Sequence, residues 1–428
     1  MLRSAFVLLL VAFTPAVRAG VLTWTTSGPE TGQVTFIRFD PGNPDIVWAG
    51  TAAQGVFKST DGGQTWTARN EGLIRGWINT IAVDPTNSST VYLGNEIGNV
   101  YKTSDGGATW TNMSSGLFSM APGPPPITAL AIDPRSPSTL YAATTSRGYL
   151  ASLGVQKSTN GGQSWSDGGA NGLGTKNVFA LAIDPQNPSI VYAGGFFDNF
   201  DRPLFKTTTG GTSWVAISNG ITGFSVNWIA PDPLVSGTVF IITSLGGVSR
   251  STNGGTSWIG RGNGLSFNGC TVLVFEKNSS TNLWCGSVRD VYRTTDGGAS
   301  WSAVAIANER IGALDVSSNG TVVAGSPNTG LYRRAAGGST WMPANSGFLA
   351  SQILALAADP VNPGVVYAGT NQNGLFKSTD HGRSWTRPST EFNRTIVRSI
   401  VIDPKTPNTL YLGTGFTGFY KSIDGGAT

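Results

Sequence analysis

Apolar residues come in short runs separated by clusters of Gly, Pro, Asn, Asp and Ser, and no run keeps the spacing of an amphipathic helix. Runs rich in β-branched and aromatic residues, bounded by turn formers, predict strands. One run recurs with Asp-Pro at its end: FIRFDP to Pro41, TIAVDP to Pro85, ALAIDP to Pro134 and again to Pro185, WIAPDP to Pro233, LALAADP to Pro360 and SIVIDP to Pro404. Two further copies, TVLVFEKN (271–278) and ALDVSSN (313–319), have lost the Asp-Pro. A polar turn follows each, then a short aromatic-bearing run such as VWAG or VYLG, then a third run such as GVFKST.

The third run enters an octapeptide. STDGGQTW (59–66), TSDGGATW (103–110), RTTDGGASW (293–301) and STDHGRSW (378–385) are its best copies. STNGGQSW (158–165), TTTGGTSW (207–214), STNGGTSW (251–258) and RAAGGSTW (334–341) are looser. The closing tryptophans, from Trp66 to Trp385, stand 44, 55, 49, 44, 43, 40 and 44 residues apart. A fixed period in the forties signals stacked supersecondary units. Each unit reads as four antiparallel strands, A to D, with the octapeptide as the C–D turn. Its paired glycines permit positive φ, and its Asp and Ser/Thr can bond the turn's own backbone.

The chain is therefore expected to be all-β, a β-propeller of four-stranded antiparallel blades with about nine repeats, because radial packing of such sheets leaves only short, protected edges. Unit nine runs from about Ile396 to Thr428 and lacks strand D, while VLTWTTSG from Val21 resembles an isolated D strand. Closure of a nine-blade ring by this N-terminal strand, with Trp24 as its tryptophan, is the expected arrangement. Two smaller propellers in tandem and an open fragment are the alternatives.

Composition narrows the function. Of 428 residues 12% are charged and 58 are Gly, but 13 Trp, 20 Phe and 10 Tyr exclude a disordered chain. Residues 1–19 read as a signal peptide cut after Ala19: Arg3, an apolar stretch from Ala5 to Phe13, then Val17-Arg18-Ala19. Removing Arg3 and Arg18 lowers the net charge from +4 to +2, so no nucleic-acid partner is expected. No later stretch is long and apolar enough for a membrane span. A secreted or periplasmic monomer, residues 20–428 forming one propeller domain, is the reading. One histidine, His381, and two cysteines exclude a polyhistidine zinc site and a four-cysteine cluster, so no metal or other cofactor is expected. Cys270 and Cys285 are placed to face each other across a turn centred between Lys277 and Asn278. A cross-strand disulfide is expected there, with two isolated buried thiols as the alternative.

The S/T-x-D-x-G-x-T-W copies resemble Asp-box repeats, also called bacterial neuraminidase repeats. Together with the apolar-DP strands and GxFKSTDGG runs, they resemble sortilin-type receptor propellers, photosystem II assembly-factor-like propellers and xyloglucan-cleaving hydrolases, over the whole mature chain. The resemblance implies a structural role for the box aspartates, including Asp61 and Asp380. Sialidases carry an Arg-Ile-Pro signature that is absent here; Arg38 is the nearest arginine, standing where other A strands have Ala82, Ala131, Ala182 and Ala230. A salt bridge at the ring seam is its expected role. Xyloglucan-cleaving enzymes imply a catalytic Asp in the first B–C loop, and Ala52 stands at that place. Glu96 holds the equivalent slot in unit two. A glycosidase needs two carboxyls flanking one bond, and Glu96 with Asp198 or Asp201 is the pair to test.

In such blades the D–A and B–C loops share one face. Units three and four carry their extra residues there, in FSMAPGPPP (118–126), TTSRGYLASLGV (144–155) and GGFFDNFDRP (194–203). Candidate ligand-binding residues are Trp77, Tyr149, Phe196, Phe197, Phe200 and Arg202, with Arg147 beside them, since rings beside a few polar groups suit recognition. The expected function is binding of a protein or polysaccharide through the loop face of blades two to four. The alternative is a secreted, xyloglucanase-like glycoside hydrolase. Trp228, among small residues, is expected in the core.

Overall fold

A computed structural model describes residues 33–428, apart from 75, 118–123, 147–151, 170, 175–176, 197–202, 245–246, 267–268, 307–309, 328, 345–352, 363, 372, 381–383, 390–391, 393–394 and 416–417. The signal segment, Val21, Trp24, Arg147, Tyr149, Phe197, Asp198, Phe200, Asp201, Arg202 and His381 thus lie outside the described residues. The described part is all-β and contains no helix. Nine antiparallel sheets follow in chain order, and seven of them have four strands. In blade one, strands A (Val34–Phe39), B (Val47–Thr51), C (Val56–Ser59) and D (Thr67–Ala68) pair in sequence. Blades eight and nine have three strands each, and a single bridge, Lys377 to Thr386, marks the place of strand D in blade eight.

The octapeptide folds as its residue types require. Ser59 Oγ donates to Asp61 at 2.7 Å and accepts from Gly63 N at 2.8 Å, while Asp61 accepts from Thr65 N at 2.9 Å. Gly62 and Gly63 sit at φ 69° and 86°, the left-handed region that side-chain-bearing residues avoid. In the looser copies Asn160 and Asn253 take the same bonds, so the position needs an acceptor at the right place rather than a charge.

Five closing tryptophans reach back to the preceding blade. Trp110 Nε1 donates to Arg69 O, Trp165 to Met113 O, Trp214 to Gly168 O, Trp258 to Ile217 O and Trp301 to Arg261 O, all at 2.8–2.9 Å. In the opposite direction, strand C sends a cation to the next turn: Lys58 Nζ bonds Gly106 O, Lys157 Gly210 O and Lys206 Gly254 O. The same lysines lie 5.0–5.8 Å from the ring centres of Trp48, Tyr141 and Tyr192.

This directional code identifies where the ring closes. Trp66 of blade one donates to Ala344 O of blade seven at 2.9 Å, and Arg333 of blade seven donates to Gly62 O of blade one at 2.7 Å. Val34, Ile37, Phe39 and Trp66 share a buried cluster with Ala313, Val323, Leu331 and Ala344. Gly325 in strand B of blade seven leaves room for this contact, since a Cβ there would lie 2.5 Å from Val34 Cγ1. Seven apolar clusters thus follow one another between seven pairs of blades. The A strands of these seven blades surround a central channel of about 570 Å³, to which no described residue of blades eight and nine contributes.

The nine-membered wheel is therefore corrected to a closed ring of seven blades followed by a further pair. Blades eight and nine stack on each other through their own cluster of Tyr367, Leu375, Phe392, Val397, Leu410 and Leu412, with Lys377 Nζ on Gly425 O. The physical reason is that Trp66 takes the Ala344 carbonyl, the acceptor that an eighth blade's tryptophan would require to extend the ring.

Cys270 and Cys285 are bonded to each other, with Cα atoms 5.7 Å apart, but their strands pair in a different register from a simple hairpin. Cys270 lies opposite Ser287 and Cys285 opposite Leu273, with a bulge between Cys270 and Val272. The extra residue, Thr271, turns Cys270 onto the face of Cys285. Trp228 is half-buried beside the channel, and its Nε1 donates to Leu273 O at 2.6 Å.

Candidate functional site

Every A strand of blades one to six carries this bulge near its start, at Thr35, Asn79, Thr128, Phe179, Asn227 and Thr271. In four of these blades the bulged side chain bonds a carbonyl of the next blade. Thr35 donates to Ile78 O, Asn79 Nδ2 to Ile127 O at 3.0 Å, Thr128 to Val178 O at 2.6 Å and Thr271 to Ile311 O. Asn227 accepts from Ser225 Oγ at 2.8 Å. Phe179 has no polar group to offer, and its ring stands 37% exposed.

That ring forms one wall of a groove of about 470 Å³ on the face of the D–A and B–C loops. Blade two supplies Trp77, Asn79 and Glu96, blade three supplies Pro126, Thr128, Thr145 and Ser146, and blade four supplies Phe179. Trp77 and Glu96 are held together because Glu96 N donates to Trp77 O at 3.0 Å. The same bond joins Ala52 to Gln33 and Thr145 to Pro126, so Ala52, Glu96 and Thr145 are structurally equivalent. Across the groove, Asn177 Oδ1 accepts from the Thr145 hydroxyl at 3.1 Å and from Ser146 N, tying the loop of blade three to blade four.

The structure thus brings Trp77 and Glu96 into one groove. Trp77 is 48% exposed. Phe196 ends strand B of blade four (Val191–Phe196), opposite Asn177, and bridges to Ser225 of blade five. Phe179 and Asn177 are the residues that sequence reasoning missed. A signal existed for Phe179: aligned on the Asp-Pro ends, its slot holds Thr35, Asn79, Thr128 and Asn227 in blades one, two, three and five.

What the groove can do follows from its lining. Two rings offer flat apolar area, and a carboxylate, an amide and hydroxyls offer directional hydrogen bonds. Glu96 is the single carboxylate among its described lining residues, and no described lining residue is a cation. Ala52, at the first-blade slot, is buried and offers no acid or base. Among the described residues no group of three or more His, Cys, Asp or Glu is arranged to hold a metal, and no helix is long and apolar enough to cross a membrane.

Arg38 lies in the channel, its guanidinium 5.1 Å from the Phe36 ring centre. Among the described residues Arg38 makes no salt bridge, so the expected ion pair at the seam is not formed; Asp315 of blade seven, buried, instead accepts from Phe39 N of blade one at 2.7 Å. Burial pushes the Asp315 carboxyl above its ordinary value, and the nearby charge of Arg38 opposes that shift.

No family profile matches the sequence, and no curated protein resembles it closely enough to count as a relative. Solved structures do share its fold. A GH74 xyloglucanase from Xanthomonas campestris superposes with a TM-score of 0.66 at 16% identity, over 95% of this chain and 74% of that one. An ancestral GH74 enzyme gives 0.70 at 19% identity, over 94% of this chain and 60% of its own. The WD40 propeller domain of Doa1 gives 0.52 at 12% identity, over 72% of this chain and 93% of its own. At these identities the likeness is one of architecture, and what the chain shares with all three is the β-propeller.

Proposed function

We propose that the protein is an exported β-propeller of Asp-box type that binds a polysaccharide chain through the loop face of blades two to four. The observation that supports this reading best is the groove itself, where the Trp77 and Phe179 rings flank Glu96 and the hydroxyl-bearing loop of blade three. Aromatic faces stack on the apolar face of a sugar ring while carboxylate and hydroxyl groups bond its edge. Residues 1–19, cut after Ala19, act as the export signal and deliver the chain to the periplasm or the exterior. Tyr149, Phe197, Phe200 and Arg202, outside the described residues, are proposed as further ligand contacts on the sequence pattern alone.

Glycoside hydrolysis is the second reading, favoured by the carboxylate of Glu96 in the groove and by the GH74 enzymes among the structural neighbours. It requires a second carboxyl, for which Asp198 and Asp201 are the candidates. Affinity electrophoresis in gels containing xyloglucan or hydroxyethylcellulose tests both readings. The wild-type protein is expected to be retarded and Trp77→Ala to run freely, with a melting temperature close to wild type because Trp77 is half exposed. Migration that no polysaccharide slows would overturn the binding reading. Reducing sugar released by the wild type and lost in Glu96→Gln would replace binding by hydrolysis.

A further inference from the structure

A blade stacked between two others buries one apolar face against the blade before it and one against the blade after it. The pair formed by blades eight and nine leaves one face of each kind in solvent. Leu356, in strand A of blade eight (Ile353–Ala358), lies opposite Ala368. In the ring the same register place is held by Ile37, Ile81, Leu273 and Leu314, which are 1–3% exposed in their clusters with the preceding blade. Leu356 is 66% exposed. At the other end of the pair, Phe419 in strand C of blade nine (Phe419–Ser422) lies opposite Gly413. Val56, Val100, Leu204, Leu331 and Leu375 hold that place in other blades and are buried against the next one. Phe419 is 71% exposed, its ring stacked on Tyr411 of its own sheet with centres 5.9 Å apart. Lys421 follows the same pattern. Lys58, Lys157, Lys206 and Lys377 each bond a turn carbonyl of the following blade. Lys421 Nζ lies 5.8 Å from the Tyr411 ring centre and bonds no carbonyl among the described residues.

Among the described residues one copy of the chain offers neither face its complement. The forward face of blade seven is covered by blade one, through the cluster that joins Val34 and Ile37 to Val323 and Leu331, so blade eight cannot stack there. Nor can the front of blade nine turn back onto the rear of blade eight, because a closed ring takes about four blades or more. These two faces meet only when different copies of the pair come together. We propose that copies of this chain associate head to tail, the Phe419 face of blade nine packing on the Leu356 face of blade eight in a second copy, so that about two to four pairs close an intermolecular propeller of about four to eight blades. The contact continues an interface the molecule already builds, since Leu375, the counterpart of Phe419, packs on Val397, Leu410 and Leu412 between blades eight and nine. Association takes apolar area out of water and gives Lys421 an adjoining turn. The interface joins two different surfaces, and closure of the ring ends its growth. The assembly replaces the monomer expected from the sequence and is independent of the groove on blades two to four.

Sedimentation velocity of the purified full chain over a range of concentrations tests the proposal. The wild type is expected to form a discrete oligomer. Phe419→Asp and Leu356→Asp are each expected to sediment as monomers, since each loses one of the two faces. Mixed in equal amounts, these two variants are expected to form a complex of one copy of each, because the intact Leu356 face of the first meets the intact Phe419 face of the second. A misfolded variant would not complement, so the mixture tells loss of the face apart from loss of the fold. Phe419→Leu, which installs the residue found at Leu204, Leu331 and Leu375, is expected to associate like wild type. A wild type that stays monomeric at every concentration would overturn the proposal and assign the two faces to a part of the chain outside the described residues or to a different protein. Oligomers that survive both Asp substitutions, or a mixture of the two variants that remains monomeric, would overturn it as well.

Discussion

Phe179 occupies a position where the fold asks for a hydroxyl or an amide. Thr35, Asn79, Thr128 and Thr271 use that position to bond a carbonyl of the next blade, and Phe179 forgoes the bond while exposing its ring. Such a local cost is typical of binding positions, where contact to a ligand outweighs a fraction of the stability. Phe179→Thr would restore a donor aimed at blade five, worth about 1 kcal/mol for a net hydrogen bond. Thermal unfolding should shift upward by roughly 2 °C, while retardation by polysaccharide gels is lost. A variant no more stable than wild type, or one that still binds, would remove Phe179 from the site. The sequence made Trp77 and Glu96 legible because each departs from the repeat at an identifiable slot. Phe179 was harder to see, since FALAID satisfies the apolar pattern of a strand and conceals that its first residue is a bulge.

At the scale of the element, the octapeptide turn shows why some features can be read from sequence and others cannot. Its Ser, Asp and Gly positions are fixed by local hydrogen bonds and φ values, so a short string specifies it. Strands A to C are legible by alternation and turn residues. Strand D is two residues long and exposed in most blades, as at Thr67–Ala68, and carries no pattern of its own. The register of Cys270 and Cys285 escaped for a related reason, because a bulge leaves the apolar count of a strand unchanged while shifting every partner beyond it.

The turn also links stability to pH. The hydroxyl and N–H of Ser300, with Thr294, hold the Asp296 carboxyl down to about 2. For Asp61 burial acts upward, and the bonds from Thr65, Ser59 and Gln64 outweigh it, so the net shift is downward. A carboxyl held below its unfolded value of about 3.9 contributes stability above that value and loses it as the pH falls toward the folded one. Asp296→Asn should therefore lose less stability than wild type on acidification from pH about 5 to about 2.5. Its stability near neutrality should change little, since Asn160 and Asn253 build the same turn. Urea unfolding at several pH values measures this, and parallel pH curves for the two proteins would refute it.

At the scale of the whole molecule, the number of blades in the ring is the property that repetition conceals. Most units offer a Trp donor, a turn carbonyl and a strand B glycine, with Ala143 and Ile242 in the glycine's place in blades three and five, so local rules alone do not set the unit at which the stack closes. The distinguishing mark lies in one strand A slot. Arg38 of blade one and Asp315 of blade seven occupy it, paired across their sheets with Trp48 and Val323. The blades between them carry Ala82, Ala131, Ala182, Ala230 and Val274 there, and blades eight and nine carry Ala357 and Val401. Blades eight and nine therefore offer blade one no matching charge.

A buried carboxylate beside one cation is costly when either partner is removed alone, because the other charge is left without compensation. Asp315→Ala also strands the Phe39 N–H, at a cost of about 1–3 kcal/mol. Arg38→Ala leaves Asp315 with Lys277, the other cation that acts on it and the weaker of the two. The double substitution restores the small apolar pair that neighbouring blades already tolerate, so its cost should fall short of the two single costs together by about 1–2 kcal/mol. Chemical denaturation of the four proteins in a double-mutant cycle measures that coupling. If the single costs simply add, the two charges do not recognise each other, and closure at seven rests on the Trp66 and Arg333 bonds and the apolar cluster between blades one and seven.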